Sequence, residues 1–350
     1  MKITKSKNLK LNLPNTLVSE KILTAVGLRN GNITIISNEN LTQLSLIRNP
    51  QGNPDAIADL LFLDNKNLVS INRENQVCVY SLESTEKPEN LHVFKICNRK
   101  DTKFAARDKL QLSLARIDST SFYATSASNM VFKVDLSSEK QWLKLSERKR
   151  QTGHSRSIMG LVNLGKNLVS IGADKIIVIW EVLDESLNPV YNLETFGNQV
   201  NKINSANHYV IAGSGDQTIK LFTTYEHSAS PVMSSFWQKI RERVTCVSFS
   251  PNAGYAAIGT EQGKVLTFDT KTFKIELSKP THDNCPVFGL EWKDNHFFSS
   301  VSPGKSLFYH STRGEVEQED LFRVDQYGEI TYCLFLPENK MAYAKLVLDK

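Results

Sequence analysis

Apolar residues along the chain gather in runs of about four to eight, rich in Val, Ile, Leu, Phe and Thr, with Gly, Asn, Asp, Ser or Pro between them. Runs of that length bounded by turn formers are the pattern of β-strands, whose side chains alternate across a pleated sheet. The 3.6-residue period of an amphipathic helix is nearly absent. The exception is a short helical turn expected around residues 236–243.

The clearest strand pair is LVSIGADKIIVIW (168–180), and YVIAGSGDQTIKLF (209–222) has the same shape. ILTAVGLRNGNITII (22–36), LVSINRENQVCVY (68–80), SFYATSASNMVFKV (121–134), YAAIGTEQGKVLTF (255–268) and HFFSSVSPGKSLFY (296–309) repeat it. Their turns fall near residues 30, 73, 128, 174, 216, 262 and 303, at spacings from 41 (262 to 303) to 55 (73 to 128). Most hairpins follow another apolar run, such as AIADLLFL (56–63) or VTCVSFSP (244–251), and several precede a weaker alternating one, such as LTQLSLI (41–47). Four strands per unit of about 40–50 residues is the blade of a β-propeller. One such sheet cannot bury both faces alone, whereas radially arranged blades cover one another and keep their edges short. The Asn30-Gly31 turn suits a tight hairpin because both residue types accept positive φ, and Gly263 and Gly304 are expected to serve similarly.

On these residues the chain resembles a divergent WD40-repeat protein over nearly its whole length. The likeness is strongest at 153–182, with Gly153-His154, Asp174 and Trp180, and at 209–222, with Gly213-Ser214, Asp216 and Phe222. It implies an all-β, WD40-like β-propeller that occupies residues 1–350 as a single domain. It also implies that His154, Asp174 and Trp180, with Ser170 as a fourth member, form a hydrogen-bonded structural network within one blade. A buried imidazole needs partners for both ring nitrogens, which an Asp and a Ser on neighbouring turns supply, so the constellation is structural rather than catalytic. Elsewhere the pattern has decayed. Tyr80, Phe222 and Phe268 stand where the Trp would be, and no other repeat carries a Gly-His pair. Seven blades are expected, with ITYCLFLP (330–337) and MAYAKLVL (341–348) closing the ring beside amino-terminal strands. Eight result if residues 1–13 give two outer strands to a final blade.

Composition changes this picture little. The chain has 350 residues, 40% hydrophobic and 23% charged, an ordinary globular balance. A formal net charge of +5 permits an acidic partner without demanding one. Cys78, Cys97, Cys246, Cys285 and Cys333 lie far apart with no C-x-x-C pair, which argues against a disulfide framework or zinc site and for a reducing compartment. The amino terminus lacks the apolar core of a signal peptide, and no window reaches the roughly 18 apolar residues of a membrane helix. A cytoplasmic or nuclear protein without membrane insertion is expected. Phosphate-loop, dinucleotide, nucleophile-elbow and H-E-x-x-H motifs are absent from the sequence. His92, His154, His208, His227, His282, His296 and His310 show no metal-ligand spacing. No catalytic residue, metal or cofactor is therefore expected, although an enzyme with a central-channel site remains an alternative, since a channel gathers residues distant in sequence.

Charge supplies the candidate contact residues. Residues 95–109 carry Arg99, Lys100, Lys103 and Arg107. Residues 144–156 carry Arg148, Lys149, Arg150 and Arg156, and residues 236–244 carry Trp237, Arg241 and Arg243. In a WD40-like propeller these stretches are crossovers between blades that open on one face. Lys and Arg in loops most often serve solubility. The functional expectation is a basic face that docks an acidic segment of one or more protein subunits, with Trp237 as an aromatic anchor. The chain then acts as a non-catalytic scaffold or adaptor in a multiprotein complex. RNA or DNA binding through the same face, within a ribonucleoprotein or chromatin complex, is the second reading, because +5 is thin for a phosphate track. A third comes from residues 263–290, which are similar in cadence to the WD-repeat cofactor of an arginine methyltransferase complex.

Overall fold

The strand pattern extends along the chain. The computed structural model describes residues 5–11, 14–19, 23–28, 30–37, 43–49, 55–96, 112–126, 130–138, 142–144, 154–183, 186–193, 196–223, 234–277, 285–287, 289–292, 294–301, 307–312, 316–319, 328–336 and 340–347, and no helix occurs among them. After β1 (Lys5–Leu11), the first sheet comprises β2 (Pro14–Ser19), β3 (Leu23–Leu28), β4 (Ile33–Ser37) and β5 (Gln43–Ile47). The second comprises β6 (Ile57–Phe62), β7 (Asn67–Asn72), β8 (Gln76–Ser81) and β9 (Glu89–Lys95). The third is β10 (Leu114–Arg116), β11 (Ser121–Thr125), β12 (Val131–Asp135) and β13 (Trp142–Lys144). The fourth is β14 (Ile158–Leu164), β15 (Asn167–Gly172), β16 (Ile177–Val182) and β17 (Leu187–Leu193). The fifth is β18 (Val200–Ala206), β19 (Tyr209–Ser214), β20 (Thr218–Thr223) and β21 (Ser234–Lys239). The sixth is β22 (Val244–Phe249), β23 (Tyr255–Thr260), β24 (Val265–Asp269) and β25 (Ile275–Leu277). The seventh is β26 (Gly289–Trp292), β27 (Phe297–Val301), β28 (Leu307–Ser311) and β29 (Val316–Glu319), and β30 (Gly328–Leu336) and β31 (Lys340–Val347) follow.

Each four-stranded sheet pairs its strands antiparallel and in chain order. β30 and β31 form an antiparallel pair to which β1 adds in parallel, with Lys5 opposite Lys340 and Leu11 opposite Leu346. The expected meeting of terminal strands is thus present, as a three-stranded sheet additional to the seven built on the hairpins. The helical turn expected at 236–243 is instead strand β21, which pairs with β20 from Lys239 opposite Thr218 to Ser234 opposite Thr223. The open edge of β20 captures this segment because ladder hydrogen bonds satisfy every second backbone group, which an isolated helical turn cannot do.

The chain divides into two compact units, residues 12–195 and residues 1–11 with 196–350. In the first, β6 packs on β2 and β3, β10 on β6, and β14 on β10 and β11. In the second, β22 packs on β18 and β19, β26 on β22 and β23, and β30 on β26 and β27. Sheet-to-sheet layers form the cores: Leu23, Ile33 and Ile35 meet Leu60, Phe62 and Leu68, while Ile211, Ile219 and Leu221 meet Val247, Ala256 and Phe268. A strand covered on both faces loses its polar alternation, and all six residues of β3 are indeed buried.

Five hairpins share one turn. The amides of Gly31, Asn75, Lys175, Gln217 and Gly263 donate to the carbonyls of Leu28, Asn72, Gly172, Ser214 and Thr260, and all five donors have positive φ, from 61° to 83°. Gly31 and Gly263 sit at φ 81° and 83°, as their residue type suggested; Gly304 lies outside the described residues. Gly259 has a different role. A Cβ there would lie 2.5 Å from Sγ of Cys246, its partner on β22, and 2.7 Å from Cβ of Val287 in the segment entering β26, so both crowd its bare backbone. Gly259→Val is therefore expected to destabilise the protein by about 1–3 kcal/mol through overpacking. A lowered denaturant midpoint at unchanged slope checks this.

Candidate functional site

The fourth sheet carries the network that the sequence singled out. His154 precedes β14 and is 4% exposed. Its Nδ1 lies 2.9 Å from Asp174 Oδ1 and its Nε2 2.7 Å from Ser170 Oγ. A carboxylate only accepts, so Nδ1 carries the proton and donates to Asp174. Trp180 Nε1 donates to the same Ser170 Oγ at 2.8 Å. The serine hydroxyl then gives its single proton to His154 Nε2 and accepts from Trp180, which uses every polar group of the cluster. Asp174 Oδ2 also accepts the Ser155 amide at 2.7 Å, joining the β15–β16 turn to the incoming crossover. Burial raises the Asp174 carboxyl, but hydrogen bonding and charge attraction from His154, with the amides of Ser155 and Ile176, outweigh it and hold the group below its ordinary value.

Register shows how other sheets rebuild this network. Trp180 stands opposite Leu168, two residues before Ser170 on β15. At that position Tyr80 stands opposite Leu68, with Ser70 two residues further along β7. Phe222 and Phe268 occupy it in the fifth and sixth sheets, as the sequence suggested, and there the serine position holds Ala212 and Ile258. The seventh sheet places His310 there, with Nε2 2.7 Å from Ser300 Oγ. A ring bearing a polar atom thus meets a serine, and a phenyl ring meets an apolar side chain. The Ser300–His310 pair escaped the sequence reading because a Trp or its phenyl substitute was sought; a Ser two residues after the hairpin partner was the usable signal. In the fifth sheet Phe196, 2% exposed, takes the place of His154, and Asp216 Oδ2 still accepts the next amide, Gly197, at 2.7 Å.

The basic candidates divide by location. Arg99, Lys100, Lys103, Arg107, Arg148, Lys149 and Arg150 lie outside the described residues. Trp237 belongs to β21, opposite Lys220, and its side chain is likewise not described. Arg156 is exposed in the crossover entering β14, in the first unit. Arg241 and Arg243 are exposed in the crossover from β21 to β22, in the second.

That last crossover is anchored from below. Glu242, between the two arginines, is 6% exposed. Thr260 Oγ1 donates to its Oε2 at 2.6 Å, and Lys264 Nζ pairs with its Oε1. Arg243 Nε donates to the Gly215 carbonyl at 3.3 Å, and its guanidinium lies 3.5 Å from Glu261. Arg241 has φ 68°, a left-handed conformation that costs a long L-residue about 1–2 kcal/mol. The outcome is a rigid rim with Lys239 and Arg241 exposed beside a buried carboxylate. Among the described residues no three His, Cys, Asp or Glu side chains converge to hold a metal ion, and no helix is long and apolar enough to cross a membrane.

No family model matches the chain. Over 81 residues, 23% of this chain, it is 31% identical to human Gem-associated protein 5, and the match covers 5% of that protein's length. Among solved structures it is similar to the computationally designed Ika8 protein, with a TM-score of 0.67 and 15% identity over 91% of this chain and 92% of that one. It is also similar to a chain of the Mitotic Checkpoint Complex, with a TM-score of 0.64 and 16% identity over 86% and 89%. These structural likenesses are of fold.

Two outcomes are expected of the network. Because the Asp174 carboxyl sits below its ordinary value of 3.8, the folded state binds fewer protons than the unfolded state just below pH 4. Its stabilisation is complete above that range and is lost as pH falls through the depressed value. Asp174→Asn should flatten the acid limb of a Tm-versus-pH curve. Ser300→Ala and His310→Phe should each cost about 0.5–1.5 kcal/mol by removing the buried hydrogen bond between them. The double variant should cost less than their sum, because it recreates the apolar pairing of the fifth and sixth sheets; urea melts of all four proteins measure this.

Proposed function

We propose that this divergent WD40-type β-propeller is a non-catalytic scaffold subunit that docks an acidic segment of a protein partner on its basic crossovers. The observation that carries the proposal is Arg241. It is an exposed arginine held at φ 68° beside the buried Glu242. Backbone strain held in place by its surroundings is commonly retained at binding sites, where a fixed geometry is needed. Lys239 on the same rim adds to the cationic surface. Arg99, Lys100, Lys103, Arg107, Arg148, Lys149, Arg150 and Arg156 are further candidate contacts in the proposal, with Trp237 as the aromatic anchor.

Supporting the subunit role are likenesses to two proteins whose names denote association, a Gem-associated protein and a component of the Mitotic Checkpoint Complex. In this reading the sheets are blades of one ring over residues 1–350, with the three-stranded sheet as an eighth blade closed by β1. The setting is the cytoplasm or nucleus. Nucleic acid is the competing ligand. It would bind with a steep salt dependence, whereas a protein dock with an apolar centre responds less steeply.

The test is affinity capture from native extract with the wild-type chain, Lys239→Glu/Arg241→Glu and Arg241→Gly. Loss of one protein partner from both variants, unaffected by nuclease, is the expected result. Arg241→Gly should also raise Tm, since glycine relieves about 1 kcal/mol of left-handed strain. Unchanged partners would assign the charge to solvation, and nuclease-sensitive capture would assign the face to nucleic acid.

A further inference from the structure

Among the described residues, seven sheets have four strands and one has three. In the three-stranded sheet β30 packs on β26 and β27, the same relation that β22 and β26 bear to the sheets before them. β30 is therefore its first strand, β31 its second and β1 its third. The fourth position is filled in the other sheets by β5, β9, β13, β17, β21, β25 and β29; here no strand fills it among the described residues. β1 also joins β31 in parallel, where every other paired strand is antiparallel, so it arrives as a separate segment rather than as the arm of a hairpin. One edge of β1 is bonded along its full length, from Lys5 to Leu11. The opposite edge presents backbone N–H and C=O groups in the geometry that templates another strand.

We propose that the outer edge of β1 is a strand-docking site that accepts an extended, acidic segment of a partner protein as the fourth strand of this sheet. The occupant follows from the sequence of the edge. KSKNLKL carries Lys5, Lys7 and Lys10 and no acidic residue. Opposite charges on facing strands are favourable and like charges unfavourable; Lys5 and Lys7 are two residues apart and share a register face, so the incoming strand bears Asp or Glu at two alternate positions opposite them. Backbone hydrogen bonds supply affinity for any extended chain, and the lysines select among candidates. Edge lysines also discourage pairing between two copies of β1. The site extends the scaffold reading to a second surface and does not involve the β21–β22 crossover.

Hydrogen exchange on the full chain tests it, with two synthetic probe peptides of about nine residues, one alternating Glu with Val and the other Lys with Val. In the chain alone, about half of the β1 amides are expected to exchange without protection, since only alternate amides point toward β31. The acidic peptide is expected to protect the remainder, and the basic peptide is not. Lys5→Glu/Lys7→Glu/Lys10→Glu should invert that preference, while Lys239→Glu/Arg241→Glu, although it removes charge from the other basic surface, should leave the peptide's protection of the β1 amides unchanged and thereby separate the two sites. Full protection of β1 before any peptide is added would show that the chain itself fills the edge and would overturn the proposal. So would protection by neither peptide, or equal protection by both; wild-type protein alone gives these outcomes, whatever the charge-reversed variant does.

Discussion

A four-stranded antiparallel sheet has two apolar faces here and can cover neither by itself. The structure depends on the answer to that constraint, which is the packing of the first strand of one sheet on the first and second strands of the sheet before it. Burying one Val, Leu, Ile or Phe contributes about 1.5–3 kcal/mol, and each layer holds several such residues. The middle strands, covered on both sides, become nearly continuous buried runs, as LTAVGL in β3 and the first four residues of β16, IVIW, illustrate. Gly213 and Gly259 mark the places where that approach is closest, at the same register position of β19 and β23.

Hydrogen bonds choose among sequences that already satisfy the packing. A net hydrogen bond contributes about 0.5–1.5 kcal/mol, but an orphaned buried polar atom costs more. The position held by Trp180 can therefore change only together with its serine. Tyr80 with Ser70 and His310 with Ser300 keep a polar pair, while Phe222 with Ala212 and Phe268 with Ile258 discard it. The repeat decays in residue identity while the balance of donors and acceptors is kept.

Connections between sheets are freer, because they need only span the gap and satisfy their own backbone. In the β21–β22 crossover that freedom is given up: Glu242 is buried and tied to Thr260 and Lys264, and Arg241 is held at positive φ. The burial of one carboxylate between two exposed arginines fixes their backbone relative to the β23–β24 hairpin.

The all-β class, the four-strand repeat and the His154–Ser170–Asp174–Trp180 network were legible in the chain, because strand periodicity and turn chemistry are local and the network recurs at a fixed spacing around one hairpin. Lys175 and Gln217 at positive φ were not, since neither residue type announces that conformation and a well-packed hairpin can impose it on them. The pairing of Ser300 with His310, and of Glu242 with Thr260 and Lys264, joins residues 10 to 22 positions apart. The fate of residues 236–243 and of β1 was likewise decided by tertiary structure. A short amphipathic stretch satisfies helix and strand patterns alike, and the open edge of β20 selected the strand. β1 has no neighbouring partner in sequence, and its place was set by the edge of β31, more than 300 residues away. Local chemistry determines which segments extend and where they turn; which edges and faces meet depends on long-range packing, of which a single sequence carries no local trace.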